Sequence, residues 1–204
     1  MTHPGRIDVY LPNFGILQGA HVRLEPLTAD HLDALCAVGL DPELWKVTTS
    51  RVRSREEMRT YIATALEAVE AGTAVPFATV LLPEETVVGS TRFANIDGKH
   101  RRVEIGWTWV GRPWQRTAVN TEAKYLMLSH AFEEWDCLRV EFKTDALNSQ
   151  SRTALTRLGA KEEGTLRSHM VTDSGRVRDT VYFSIIASEW PEVKRRLEGR
   201  LAGS

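Results

Sequence analysis

Between residues 54 and 72 the apolar positions Met58, Tyr61, Ile62, Ala65, Leu66 and Val69 recur at i, i+3 and i+4 steps. Ser54 followed by Glu57 opens that run as a capping box and Gly72 closes it, so the pattern predicts an amphipathic helix. Ahead of it, HVRLEPL alternates like a short strand, and Thr28 opens a helix through Gly39 with Leu32, Leu35 and Cys36 on its inner face, broken by DPELW. After Gly72 the period changes. PFATVLL, TVVGSTRFANI and RRVEIGWTWV are β-rich runs separated by Pro83-Glu84-Glu85 and Asp97-Gly98, which predicts successive antiparallel strands. Residues 120–135 contain no Gly or Pro and carry Ala123, Leu126, Met127 and Ala131 at helical spacing before the strand-like RVEFKTD, which together make a crossover unit. Asn148 opens a shorter helix with Ala154, Leu155 and Leu158 inward, ended by Gly159. EGTLRSHMVT and TVYFSII form a last strand pair about Asp173-Ser174-Gly175, and EWPEVKRRLEG reads as a surface helix.

Pro4, Gly5, Pro12, Gly15 and Gly19 mark residues 1–20 as an irregular lead-in, leaving one domain over 21–190 and a helical tail over 191–204. A chain of 204 residues with 42% hydrophobic content can bury a core without staples. Its 27 acidic and 26 basic residues nearly cancel, which disfavours nucleic acid or an anionic membrane as partner. Cys36 and Cys137 lie in helix-like runs without CxxC spacing, so they read as buried free thiols and no metal site is expected. With no cationic-then-apolar start and no long apolar run, the chain is expected in the cytoplasm.

The order strand, two helices, three strands, crossover helix, strand, helix, two strands resembles the GNAT acetyltransferase superfamily, over His21 to Trp190. EIGWTWV leading into RPWQRTAVNTEAK, then RVEFKTDALNSQSRTALTRLGAKEEGTLR, GRVRDTVYFSI and SEW, is similar to its RimJ/RimL branch, whose members acetylate ribosomal-protein N-termini. The resemblance implies a mixed α/β fold with a mostly antiparallel, V-shaped sheet flanked by helices. It further implies an enzyme that takes acetyl-CoA as acyl donor and acetylates a primary amine, on a protein N-terminus or a small molecule. Fold does not transmit the acceptor. Exposed tryptophans and family habit lean towards a homodimer.

A strand end feeding a helix N-terminus exposes N–H groups suited to an anion. Here that loop is Gln115, Arg116, Thr117, Ala118, Val119, Asn120 and Thr121. Against the family pattern Arg/Gln-x-x-Gly-x-Gly/Ala, Ala118 and Asn120 replace expected small residues, and Asn120 can cap the helix or touch the cofactor. Arg116 and Lys124 are candidate partners for coenzyme A phosphates; the bland reading makes them solvated charges at an ordinary capped helix.

In VEIGWTWV, strand alternation sets Glu104 on the face opposite Val103, Ile105, Trp107 and Trp109. An attacking ammonium must lose a proton, and Glu104 can accept it directly or through water, as the resemblance implies. A surface Glu paired with Arg101 or Arg102 is the alternative. The family's Asn-x-x-Ser falls on Asn148 and Ser151, placing Asn148 on coenzyme A and Ser151 near the sulfur as a proton donor; simple helix capping is the alternative. The Tyr many relatives use as acid is replaced by Leu155. Trp45, Arg92, Trp107, His169 and Arg178 are candidate linings of an acceptor pocket. Two rival functions stand beside the enzyme: a catalytically silent acyl-CoA-binding module, and an RNA binder using GKHRR at 98–102.

Overall fold

The computed structural model describes residues 14–203. Along it run β1 (Leu17–Gln18), β2 (Val22–Pro26), α1 (Leu32–Gly39), α2 (Arg55–Glu70), β3 (Val75–Leu81), β4 (Thr86–Asp97), β5 (Arg102–Val110), α3 (Ala118–Ser129), β6 (Arg139–Asp145), α4 (Ser149–Leu158), β7 (Lys161–Val171), β8 (Val177–Ile186) and α5 (Trp190–Leu201). The predicted elements are all present in the predicted order. Ser54 Oγ accepts from the Glu57 amide at 3.1 Å, as a cap should, while the Glu57 carboxylate reaches back to the Arg53 amide at 2.6 Å.

The strands form a single sheet in the order β1-β2-β3-β4-β5-β6-β8-β7. Neighbours are antiparallel except β5 and β6, which the α3 crossover makes parallel. That pair is hydrogen-bonded only where Arg102 to Glu104 meet Arg139 to Glu141. Residues 105–110 and 142–145 then diverge, which is the V expected of the sheet and leaves one backbone edge of β5 open.

The larger core holds Phe93, Val103, Ile105, Met127, Phe142 and Leu197, and a smaller one beneath α1 and α2 holds Leu35, Met58, Tyr61 and Trp109. Val103 and Ile105 thus face away from Glu104, as alternation requires. Trp107 breaks the pattern: its φ is 48°, and the β4/β5 register slips between Ser90 and Arg92. This bulge inverts the alternation, so Trp109 enters the smaller core and Val110 the larger, and Trp107 is 39% exposed. The expectation that Trp107 and Trp109 share the side of Val103 is corrected accordingly. Trp107 is also the only exposed tryptophan among the described residues, which removes the tryptophan argument for a dimer.

Two terminal segments do more than composition suggested. Phe14 packs edge-on to Phe77, 5.3 Å between centroids, and α5 sinks Trp190, Val193 and Leu197 into the larger core, so it is no mere surface helix. Residues 1–13 of the lead-in lie outside the described residues. Both cysteines are free; Cys137 is buried, which pushes its thiol up to about 12, whereas Cys36 is half-buried. No described helix is long and apolar enough to cross a membrane.

Glu122 on α3 anchors the start of β2. Its buried carboxylate accepts from the amides of Ala20, His21 and Val22 at 2.9, 2.6 and 2.7 Å. A Cβ on Gly19 would lie 2.4 Å from that carboxylate, so only glycine fits there. Glu122→Gln turns one acceptor into a donor facing these amides and is expected to cost about 2 kcal/mol in urea unfolding, from the loss of charge-assisted bonds. A midpoint equal to the unsubstituted protein's would show that the anchor is redundant.

Candidate active site

β5 ends at Val110, and Gly111 leads through a short turn at Arg112–Trp114 into α3. Arg116 takes a left-handed φ of 63°, which turns the chain so that Thr117 becomes the N-cap. Thr117 Oγ1 accepts from Val119 N at 3.3 Å and donates to Trp114 O at 2.7 Å. The cap is therefore Thr117; Asn120 sits within the first turn with its Oδ1 buried and unbonded. The other first-turn amides have no carbonyl within the helix, as at any helix start.

Beside this start lies an open cavity of about 680 Å³ lined by Arg112, Pro113, Gln115, Arg116 and Gln150. Gln115 is fixed by donation from its Nε2 to Val110 O at 2.9 Å, and Gln150 Nε2 donates to Gln115 Oε1 at 3.2 Å, tying the start of α4 to the loop. Arg116 is exposed and has no ion pair among the described residues, while Arg112 lies 3.6 Å from Asp41. Free amides, a dipole end and an unpaired guanidinium fit a phosphate group. Lys124 is placed elsewhere. It is 5% exposed and its ammonium donates to Thr108 Oγ1 at 2.6 Å and Thr91 Oγ1 at 3.3 Å, inside the protein rather than at the loop. The phosphate role expected of Lys124 is therefore corrected.

Glu104 occupies the last position at which β5 and β6 pair. It is 4% exposed, and its Oε2 accepts from Asn95 Nδ2 and Lys143 Nζ, each at 2.6 Å. Oε1 lies over Gly106, 3.1 Å from where a Cβ would stand. Neither arginine considered as its partner is used: Arg101 pairs with Asp136 and Arg102 with Asp97 and Glu141. Burial pulls the Lys143 ammonium down, but the bond to Glu104 and its charge outweigh this and hold it above its ordinary value. Lys143 was not foreseen, because its nearness to Glu104 depends on the parallel register Glu104 to Glu141 with Lys143 two residues on.

Asn148 caps α4, its Oδ1 accepting from Ser151 N at 2.9 Å, so the capping role is real and its Nδ2 remains as a donor. Ser151 Oγ, half-buried, has no partner among the described residues. Leu155 is 7% exposed and belongs to the larger core.

The acceptor-pocket candidates separate. Trp45 is a core residue, its Nε1 donating to Gly39 O at 2.7 Å. His169 lies on exposed β7, its ring 6.0 Å from that of Tyr182. Arg178 is buried with an unbonded Nε. Arg92 and Trp107 meet, the guanidinium 4.9 Å from the indole and 5.2 Å from the ring of Tyr61.

Among known proteins, the family described as Acetyltransferase (GNAT) domain matches residues 21–161. Bacillus subtilis YdaF, whose name proposes a ribosomal N-acetyltransferase, is 30% identical over 125 residues, 61% of this chain and 63% of that protein. The chain thus spans less than two thirds of that relative's length. A GCN5-related N-acetyltransferase from Brucella melitensis is 31% identical with a TM-score of 0.83, over 90% of this chain and 84% of its own. Mycobacterium smegmatis RimJ, solved with CoA-disulfide, shares the fold at a TM-score of 0.74 and 24% identity, over 91% of each chain.

Proposed function

The chain belongs to the GNAT acetyltransferase family, and from that premise we propose that it carries the acetyl group of acetyl-CoA to a primary amine by direct attack on the thioester. One observation carries the reading: the phosphate-suited cavity at α3, the open edge of β5 and the buried carboxylate of Glu104 follow one another along the cleft where β5 and β6 part. Gln115, Arg116 and the amides from Thr117 to Thr121 would hold the pyrophosphate, with Ala118 at its closest approach. The open β5 edge would pair with the pantetheine arm as an added strand and supply an oxyanion N–H. Asn148 Nδ2 would bond the arm.

As the N–C bond forms and the C–S bond breaks, the amine proton passes to Glu104 Oε1, directly or through water. The departing thiolate takes a proton from Ser151 or solvent. The YdaF name, which proposes a ribosomal N-acetyltransferase, supports an amine of the ribosome as one acceptor class.

Acetyl-CoA is expected to raise the melting temperature, the stabilisation reaching about 2.7 kcal/mol at a hundredfold excess over Kd. Ala118→Glu should abolish that rise while leaving the apo protein folded, because the added carboxylate would stand where phosphate approaches. No rise at millimolar acetyl-CoA would overturn the donor assignment. Acceptor-dependent thiol release with any of a range of peptides, polyamines and amino acids would exclude the silent acyl-CoA binder, whereas silence with all of them fits both readings.

A further inference from the structure

Arg92 is a buried cation without a counter-ion. It is 5% exposed, its Nε is buried and unbonded, and it makes no hydrogen bond or ion pair among the described residues. Arginine is rarely buried unless paired; here Nε is cut off from water with no acceptor, while the terminal nitrogens are not fully buried and are left to find one. The rings of Tyr61 and Trp107 offset part of the cost by cation–π attraction, yet they accept none of those donors. A group that accepts in-plane hydrogen bonds and carries negative charge would complete the constellation.

The register says where it would lie. On β4 and β5, Arg92 is opposite Gly106 and Ala94 is opposite Glu104, so Arg92 and Glu104 are diagonal neighbours. Residues so related share one face at about 7–8 Å between their positions. Between them Gly106 contributes no side chain, and a Cβ there would press on Glu104 Oε1 at 3.1 Å. On this face of the sheet, therefore, a carboxylate oxygen and an unmet guanidinium flank a glycine. No ion pair joins Arg92 to Glu104, whose Oε2 is held by Lys143 and Asn95, each at 2.6 Å.

We propose that the acetyl acceptor carries a carboxylate a few bonds from its amine, and that Arg92 receives this carboxylate while the amine faces Glu104. The planar fork of arginine matches a carboxylate in two parallel bonds, and one guanidinium balances one negative charge. The acceptor is then a free amino acid, or a peptide whose first residue is acidic. This rests on the acetyl-transfer reading above.

Matched acceptors differing in one charge test it with the intact protein: alanine against alaninamide, and a peptide beginning with Asp against the same peptide beginning with Asn, both amidated at the C-terminus. Thiol release at saturating acetyl-CoA is expected to favour the carboxylate member of one pair by about 10- to 100-fold in kcat/KM, the span of a charge-assisted bond. Which pair shows the preference identifies the source of the carboxylate. Arg92→Met should collapse that ratio towards one, its fold verified by the acetyl-CoA-induced rise in melting temperature. Equal or better rates for the neutral member of both pairs overturn the proposal, as does a ratio unchanged in Arg92→Met.

Calorimetric binding of the same four acceptors to CoA-saturated protein repeats the comparison without turnover. Charge-selective binding without thiol release counts against acetyl transfer and leaves Arg92's assignment standing. Charge-blind binding, or no binding of either carboxylate probe at millimolar concentration, overturns it.

Discussion

Replacing Glu104 with Gln is expected to slow acetyl transfer at pH 7 by roughly 10²–10⁴-fold while acetyl-CoA binding survives, the usual worth of a positioned base. The surroundings of this carboxylate sharpen the expectation. Its Oε2 accepts from Asn95 Nδ2 and the Lys143 ammonium, both donors. A Gln side chain must turn its oxygen towards them, because its NH₂ would meet a cation and an amide donor head-on. The NH₂ then falls over Gly106, where Oε1 lies in the unsubstituted protein. An acceptor of protons becomes a donor at the position over Gly106, with volume nearly unchanged.

Raising the pH should recover part of the rate, since more amine then arrives already deprotonated. Losing the ion pair with Lys143 is a smaller effect, because that side chain is 21% exposed and water can solvate it. Activity within a few fold of the unsubstituted enzyme at pH 7 would remove Glu104 from the mechanism. Glu141 is a poor substitute, as its carboxylate is engaged by Arg139 at 2.9 Å and Arg102 at 3.5 Å.

Local signals carried most of the fold. The α2 period, the turn residues between β3, β4 and β5, and the Gly159 stop of α4 each act over a few residues, and each stands where it was expected. The loop at Gln115 to Thr121 and the carboxylate at Glu104 were legible for the same reason: a capped helix start and an odd acid in a central strand are short-range features. What escaped depends on pairing across distance. The bulge at Trp107 inverts the side-chain alternation, but only a count against β4 exposes it. Lys143, Asn95 and Gln150 reach the site from other elements. Arg92's isolation is a property of what does not surround it, which no run of residues reveals. Lys124 did leave a trace: Leu128 and Ala131 stand at i+4 and i+7 from it, and both are fully buried. The loop motif nearby drew attention to its charge in place of its helical face.

That misplaced lysine leads to a test of its own. Lys124 is 5% exposed, its bonds go to two threonine hydroxyls, and it has no carboxylate partner among the described residues, so burial pulls its ammonium down from an ordinary 10.5 to about 7. Between those values the unfolded chain keeps a proton that the folded protein has released. Stability therefore rises with pH across that window, by up to about 1.4 kcal/mol per unit for one proton. Below pH 7 both states are charged and the full cost of burying the cation remains.

Lys124→Met keeps the apolar stem and removes the titration, while Thr91 and Thr108 remain bonded to each other at 2.7 Å. The variant is expected to be the more stable protein at pH 6, with an advantage that shrinks by about 2 kcal/mol between pH 7 and pH 9 as the unsubstituted lysine goes neutral. Urea unfolding of both proteins at matched pH values reads this difference directly, and other titrating groups cancel between them. A difference that stays constant from pH 6 to pH 9 would mean that Lys124 does not change charge in that range, and that the two hydroxyls solvate the ammonium well enough to hold its proton in the core.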